Sequence, residues 1–316
     1  MDAFKSRTID ANGIRIHLAE QGSGPLVLLC HGFPESWYSW RHQLSALSAA
    51  GFHVVAPDMR GYGQSSRPEQ IDRYSMLHLV GDMVAVLDAL GEKQAVIAGH
   101  DWGAPVAWHA ALLRPDRFRA VIGLSVPYRP RGSVQPTTVM AQTEEAQFYQ
   151  LYFQTPGKAE SEFEADTRGS IRKILYAWSG AMPDVDMVPR AGGFFARVAD
   201  PPLLPSWLTE ADIEVYVAQF LASGFRGGLN WYRNIDRNWE LMAAFTRAPI
   251  TVPALYMAGE LDPVLAFPRM KDAIADLKRF IPDLRGTIVL PGCGHWTQQE
   301  RPKQVNSSMI EFLRSL

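Results

Sequence analysis

The sequence has very few cysteines: Cys30 and Cys293 are the two in 316 residues, too few for a disulfide framework. Both are expected to be small buried hydrophobic residues in a reducing compartment. No apolar run approaches the ~20 residues of a membrane-spanning helix, and residues 1–8 lack the apolar core of a signal peptide. The sequence therefore predicts a cytoplasmic protein that does not enter a membrane.

The chain also lacks an excess of charge of either sign. A net charge of -2 and a pI of about 6.5 argue against a nucleic-acid partner. No glycine-rich nucleotide-binding motif opens a helix. Several histidines show no metal-ligand spacing with the cysteines or with each other, namely His17, His42, His53, His78 and His109. We therefore expect no metal and no organic cofactor.

Apolar runs typical of buried strands recur through both ends of the chain. Before these runs, a hairpin is predicted around Asn12-Gly13, because both of these residues tolerate the positive φ of a tight hairpin turn. Helical patterns alternate with the strands, as in Met76–Leu90, which stops at Gly91. The runs are Leu26–Cys30, Phe52–Pro57, Ala95–Ala98, Phe118–Val126, Val252–Ala258 and Gly286–Leu290. This alternation predicts an α/β fold with a doubly wound, mostly parallel sheet.

The strand-like runs stop between Pro127 and Ala248, where aromatic residues, acidic residues and helical periodicity dominate. In residues 211–223, one side of the predicted helix carries Val215, Val217, Phe220 and Leu221. The sequence therefore predicts a core made of residues 1–127 and 249–316, with a helical cap inserted as residues 128–248.

A short turn after the run Ala95–Ala98 carries an acidic residue between small ones, in the order Gly99-His100-Asp101-Trp102-Gly103. A strand, this turn and a following helix form the pattern of a nucleophile elbow, which most often has serine at its centre. The carboxylate of Asp101 is ionised at neutral pH and needs no base to attack a saturated carbon. A chance loop with the same glycine spacing is the alternative.

Two further polar residues follow later predicted strands. Asp262 comes just after Val252–Ala258, and His295 comes just after Gly286–Leu290. The carboxyl ends of parallel strands meet at one edge of a sheet, so Asp101, Asp262 and His295 are expected to converge there. Their chain order is nucleophile, acid and histidine. Three unrelated surface residues are the alternative.

With these residues in place, the sequence resembles the soluble-type epoxide hydrolases of the α/β-hydrolase fold over nearly the whole chain. The segment 31–35 (HGFPE) is similar to the family's oxyanion motif, and 99–103 to its nucleophile turn. In the cap, residues 148–154 and 227–234 resemble the segments that carry the family's two acidic tyrosines. These tyrosines fall on Tyr149 and Tyr232.

The resemblance implies conversion of an epoxide and water to a vicinal diol. Asp101 would form a hydroxyalkyl ester while Tyr149 and Tyr232 act as acids on the epoxide oxygen. His295, oriented by Asp262, would activate the water that hydrolyses this ester. The amides of two residues, Phe33 and Trp102, would form the oxyanion hole. Packing of the cap is the alternative role for the tyrosines, and Tyr152 is expected to have that role.

The substrate expected from this resemblance is a small apolar epoxide, and the protein is expected to be a monomer or a homodimer. A cis peptide bond is predicted before Pro34, because Pro34 lies in a tight functional turn. His31 is expected to be structural. The predicted substrate-binding residues are Phe33, Pro34, Trp102, Gln150, Val264, Leu265 and Trp296.

Two other functions stay open from the sequence. A haloalkane dehalogenase also attacks through an aspartate, with halide bound by the indole of the following Trp102. Against it, Phe33 stands where many dehalogenases carry a halide-binding asparagine, and a halide has no use for two phenols. A non-enzymatic receptor of the same fold is the second alternative, because a fold does not determine function.

Overall fold

The computed structural model describes residues 4–182 and 185–316. The strands are β1 Lys5–Ala11, β2 Ile14–Gln21, β3 Leu26–Cys30, β4 His53–Pro57, β5 Ala95–His100, β6 Phe118–Leu124, β7 Ala146–Phe148, β8 Met187–Pro189, β9 Ala254–Gly259 and β10 Leu284–Leu290. The helices are α1 Arg41–Ala49, α2 Met76–Leu90, α3 Gly103–Leu113, α4 Tyr149–Tyr152, α5 Lys158–Ala165, α6 Thr167–Tyr176, α7 Glu210–Ser223, α8 Arg226–Tyr232, α9 Ile235–Leu241, α10 Met270–Ala275, α11 Leu277–Phe280, α12 Thr297–Glu300 and α13 Pro302–Arg314.

The main sheet has the strand order β1-β2-β4-β3-β5-β6-β9-β10. Pairing is antiparallel for β1 with β2 and for β2 with β4, and parallel from β4 across to β10. The predicted hairpin forms, with Asn12 and Gly13 both at positive φ. The mostly parallel α/β sheet predicted from the sequence is confirmed.

Alternate residues of the central strands face two separate hydrophobic layers, because side chains of a strand point to opposite faces. Val54 and Val96 pack with α1 and α13 through Leu47 and Met309. On the other face, Val55, Ile97 and Val121 belong to the cluster that contains Met83 of α2 and Trp108 of α3. Burial on both faces explains why these strands read as continuous apolar runs.

The segment between β6 and β9 carries helices α4–α9, as the sequence predicts, and the division into core and cap stays a proposal. The expectation that strands are absent from it is wrong in one place, where β7 pairs antiparallel with β8. Each of these strands has three residues, too few for an alternating pattern to be visible in the sequence.

The predicted buried face of α7 is also partly wrong. Its buried hydrophobic residues are Ile213, Tyr216, Val217 and Phe220, whereas Leu221 is 70% exposed. With about 100° per residue, these four side chains share one arc. Leu221 lies at the rim of this arc and Val215 on the opposite side.

No helix among residues 4–182 and 185–316 combines the length and the apolar character needed to cross a membrane. Cys30 and Cys293 are both buried free thiols, as predicted. His31 is buried and has the structural role expected of it. Its Nε2 accepts a hydrogen bond from the Met59 amide at 3.0 Å, and its Nδ1 lies 2.9 Å from the carbonyl oxygen of Gly32.

Candidate active site

Asp101 lies in the turn between β5 and α3 with φ of 50°, in the left-handed region that non-glycine residues rarely adopt. The small neighbours are required by close backbone contact: a Cβ at Gly99 would lie 1.9 Å from the Gly103 carbonyl oxygen. A Cβ at Gly103 would lie 2.1 Å from the Cys30 carbonyl oxygen. The strained turn presents the Asp101 carboxylate at the carboxyl end of β5.

The loop after β3 supplies a hydrogen-bond donor to this carboxylate. The Phe33 amide donates to Oδ1 of Asp101 at 2.7 Å. The Phe33-Pro34 peptide bond is cis, as predicted. Oδ1 is thereby held by the backbone, while Oδ2 of Asp101 lies 3.5 Å from Nε2 of His295.

His295 and Asp262 come together as the strand order predicts. Nδ1 of His295 donates to Oδ1 of Asp262 at 3.0 Å, and the Val264 amide donates to the same oxygen at 3.0 Å. Burial would raise the pKa of Asp262, but the His295 cation and hydrogen bonds from His295, Ser125 and Val264 hold it below its usual range. The Asp262 carboxylate therefore stays ionised and keeps the imidazole in one orientation.

His295 lies between two carboxylates. Burial would lower the pKa of its imidazole, but Asp262 and Asp101 raise it to about 10. While both carboxylates are charged, His295 is therefore an imidazolium at neutral pH. Its charge balances part of the negative charge that the site buries.

Tyr149 and Tyr232 face the Asp101 carboxylate from the cap. Their rings contact each other with centroids 5.9 Å apart, and Gln150 donates a hydrogen bond to the Tyr149 oxygen at 3.0 Å. Burial and the nearby Asp101 charge raise the pKa of Tyr149. The pKa of Tyr232 is raised well above its usual value, mainly by burial and further by its neighbours Tyr149 and Asp101. Both phenols are therefore protonated at neutral pH and available as donors.

The Asp101 carboxylate lies in the wall of a cavity. Most of the residues that line it are aromatic, as is usual for pockets that bind apolar ligands. Among the described residues, those lining it are Phe33, Asp101, Tyr149, Phe153, Ile174, Trp178, Phe194, Tyr232, His295 and Trp296.

Two of the predicted substrate-binding residues, Phe33 and Trp296, are part of this lining, and five others among the described residues are not. Gln150 contacts Tyr149, which lines the cavity, and Trp102 packs against Tyr232 with centroids 5.1 Å apart. For Pro34, Val264 and Leu265 the substrate-binding role stays a prediction. The sequence predicted aromatic residues of the segment between β6 and β9 in the pocket without naming them. The structure places Phe153, Ile174, Trp178 and Phe194 there, which helical periodicity alone does not show.

Glu35 and His100 form a buried hydrogen-bonded pair that the sequence also missed. Oε2 of Glu35 lies 2.8 Å from Nδ1 of His100 and accepts the Gly32 amide at 3.0 Å. Nε2 of His100 donates to the His295 carbonyl oxygen at 2.7 Å. The pair therefore connects the loop of Phe33, the elbow and the loop of His295. Glu35 ends the segment 31–35, and His100 lies next to Asp101 in the segment 99–103. These positions inside two motifs were the available sign that the two residues belong to the site.

Another residue that the sequence missed is Ser125, directly after β6. Its φ is 68°, and its hydroxyl lies 3.1 Å from Nδ1 of His295. The Tyr256 hydroxyl donates to the Ser125 carbonyl oxygen at 2.7 Å and fixes this turn. Ser125 therefore helps to orient the histidine and its carboxylate partner.

Glu35→Gln is expected to lower the free energy of unfolding by about 1–3 kcal/mol at neutral pH, because it removes the buried carboxylate that lies against Nδ1 of His100 and accepts the Gly32 amide. Urea unfolding measures this loss. Burial would raise the pKa of Glu35, but His100 and the Gly32 amide hold it below its usual range. The stabilisation is therefore present at neutral pH and disappears as the pH falls through that lowered value.

The control for this prediction is Asp116→Asn. Asp116 pairs with Arg114 at 2.7 Å on the surface, with side chains 60% and 40% exposed. Solvent screens such a pair, so the variant is expected to unfold like the wild type. Equal losses in the two variants would contradict a stabilising role for the buried pair.

Comparisons with known proteins show the family of this chain. A family model described as alpha/beta hydrolase fold matches residues 25–302. Epoxide hydrolase A of Mycobacterium tuberculosis is 45% identical, with 100% of this chain and 99% of that protein covered. Epoxide hydrolase 3 of Siraitia grosvenorii is 43% identical, with 99% of each covered. The solved epoxide hydrolase from an endophytic Streptomyces has a TM-score of 0.96 at 48% identity, covering 99% of this chain and 96% of that one. This chain therefore belongs to the epoxide hydrolases of the α/β-hydrolase fold.

Proposed function

We propose that this enzyme opens an epoxide to a vicinal diol through a covalent ester on Asp101. The observation that carries the proposal is one cavity lined by a carboxylate, a histidine and two protonated phenols. The carboxylate is a nucleophile for saturated carbon, and the phenols are acids for the oxygen that leaves that carbon.

Ring opening uses Asp101 and the two phenols together. Oδ2 of Asp101 forms a bond to a ring carbon, and the bond from that carbon to the epoxide oxygen breaks. The oxygen takes a proton from Tyr149 or Tyr232, so that no free alkoxide has to form. Acid assistance of this kind contributes roughly 10²–10⁴ in rate.

Ester formation prepares His295 for the second half of the reaction. The ester at Asp101 is neutral, so one of the two charges that raise the His295 pKa is lost. His295 then releases its proton, which balances the proton given by the phenol, and becomes a base. It takes a proton from water as that water attacks the carbonyl carbon of the Asp101 ester.

The attack places a negative charge on Oδ1 of Asp101. The Phe33 amide already lies 2.7 Å from this oxygen, and the Trp102 amide is the second proposed donor. Collapse of the intermediate releases the diol and restores the carboxylate. Loss of one such donor typically costs ~10²–10³ in rate.

The aromatic lining of the cavity supports a small apolar epoxide as the substrate. Residues 1–127 and 249–316 are the proposed core, with residues 128–248 as the cap that supplies both phenols. A cytoplasmic location and a monomeric or homodimeric state remain predictions from the sequence.

A single turnover in heavy-oxygen water tests the proposal. With enzyme in excess over an aryl epoxide, the first diol is expected to carry unlabelled oxygen, because its new oxygen comes from Asp101. The label is expected in the carboxylate of Asp101, and peptide mass spectrometry locates it. Label found directly in the first diol would show that water attacks the ring without an ester.

A haloalkane dehalogenase is the alternative that shares the nucleophile. It needs the Trp102 indole for halide, whereas here the indole packs edge-to-face against the Tyr232 ring, with centroids 5.1 Å apart. Halide release from simple alkyl halides, with no diol from any epoxide, would favour this alternative.

A further inference from the structure

A second arrangement of serine, histidine and aspartate lies at the β1–β2 edge of the sheet. The Ser6 hydroxyl oxygen lies 2.7 Å from Nε2 of His17, and Nδ1 of His17 lies 2.8 Å from Oδ2 of Asp58. These are the contacts of a nucleophile, a base and a carboxylate that orients the base. None of the three is among the described residues that line the cavity at Asp101.

Strand register brings these residues together. In the β1–β2 ladder Thr8 is opposite His17 and Ser6 is opposite Ala19, so that Ser6 is the diagonal neighbour of His17 on one face. Asp58 directly follows β4, whose Pro57 is opposite Leu18 of β2. The three side chains therefore come from adjacent strands that the hairpin and the β2–β4 pairing hold in fixed register.

The hydrogen-bond partners determine where the protons lie. The Asp58 carboxylate accepts the amides of Trp37 at 3.2 Å and Gln64 at 3.1 Å, and it offers another lone pair to His17. Nδ1 of His17 therefore donates to Asp58, and in this tautomer Nε2 is an acceptor. The Ser6 hydroxyl donates to this acceptor, as a serine nucleophile does.

In this arrangement the proposed base, His17, is buried, whereas the proposed nucleophile, Ser6, is accessible to solvent. The side chains of His17 and Asp58 are 3% and 0% exposed, whereas Ser6 is exposed on β1. The side-chain amide of Gln64, also exposed, lies 3.4 Å from Nε2 of His17. A ligand carbonyl that reaches Ser6 therefore meets an amide donor beside the nucleophile.

We propose that Ser6 is a second nucleophile, which accepts the acyl group of small activated carboxylic esters. The Ser6 oxygen bonds to the ester carbonyl carbon while its proton moves to Nε2 of His17. The Gln64 amide donates to the carbonyl oxygen as it becomes negative. The bond to the leaving alcohol then breaks, the alcohol leaves as an anion or takes the proton from His17, and an acyl-serine remains.

The test treats the full-length protein with p-nitrophenyl acetate and maps the acetyl group by peptide mass spectrometry. Wild type is compared with Ser6→Ala, His17→Gln and Thr8→Ala. Thr8 is the matched control, a hydroxyl on the same strand face opposite His17. Epoxide hydrolysis by each variant reports that it is folded, since none of these residues belongs to the machinery at Asp101.

We expect an acetyl group on Ser6 and a burst of p-nitrophenol in wild type and in Thr8→Ala. Ser6→Ala is expected to lose the burst, and His17→Gln to slow it by roughly 10²–10⁴-fold. Asp101→Asn is expected to keep the burst while losing epoxide hydrolysis, so the two sites are judged separately.

Two results would overturn the proposal. One is acetylation of Ser6 at the rate of the exposed hydroxyls Ser23 and Ser161 in the same wild-type sample, which needs no variant to fold. The other is a burst that survives Ser6→Ala or disappears in Asp101→Asn, because the ester would then be reacting elsewhere.

Discussion

His295→Gln is expected to form the ester on Asp101 and to stop there, with diol formation lower by roughly 10⁴–10⁶-fold. Ring opening needs the carboxylate and the phenols, whereas hydrolysis of the ester needs a base at the position of Nε2. Glutamine keeps a polar group near Asp262 but cannot take a proton from water at neutral pH. Intact-protein mass spectrometry after mixing with an aryl epoxide is expected to show one substrate bound covalently to each chain.

His53→Gln is the control for this variant. His53 begins β4 and pairs with Glu20 of β2 at 3.1 Å, and it is not among the described residues that line the cavity. It is expected to form diol at the wild-type rate with no trapped ester. Diol formation at the wild-type rate by His295→Gln would contradict the role of His295 as the base. Covalent substrate found on the Asp101→Asn variant would contradict the role of Asp101 as the nucleophile.

The double variant Tyr149→Phe/Tyr232→Phe is expected to lose roughly 10²–10⁴-fold in the rate of ester formation. It removes both proton donors from the cavity and keeps the aromatic rings that shape it. Each single variant is expected to lose less than half of this effect on a logarithmic scale, because the remaining phenol still donates to the same oxygen. Rapid-mixing kinetics with the enzyme in excess measures the ester-forming step directly.

Tyr152→Phe is the matched control, since Tyr152 belongs to the same short helix, α4. Its hydroxyl donates to Glu162 at 2.6 Å, as expected of a tyrosine with a packing role. Loss of this hydroxyl is expected to lower the free energy of unfolding and to leave ester formation at the wild-type rate. A double variant that forms the ester as fast as Tyr152→Phe would exclude the phenols as acids.

Local sequence patterns predicted the core well because each strand is buried on both faces. Leu26–Cys30 and Ala95–His100 are fully buried strands, and such strands appear in the sequence as uninterrupted apolar runs. The turn at Asp101 was equally visible, since the close contacts at Gly99 and Gly103 tolerate no larger residue.

The helical segment between β6 and β9 was harder to predict. Its helices bury aromatic residues against each other and against the rest of the chain, so that their apolar residues do not form one simple stripe. Leu221, which is exposed, and Phe194, which lines the cavity, have equally hydrophobic side chains in the sequence. Only the tertiary packing of this segment distinguishes them.

By itself the sequence determined the α/β sheet, the strained turn of Asp101 and the chain order of Asp101, Asp262 and His295. These are local properties of residue type and spacing, whereas the segments of the two phenols came from the resemblance to the epoxide hydrolases. Only the tertiary structure decided which residues meet across the fold, among them Glu35 with His100, Ser125 with His295 and Ser6 with His17. Partners separated by tens or hundreds of residues depend on strand register and loop closure, and these arise from the packing of the whole chain.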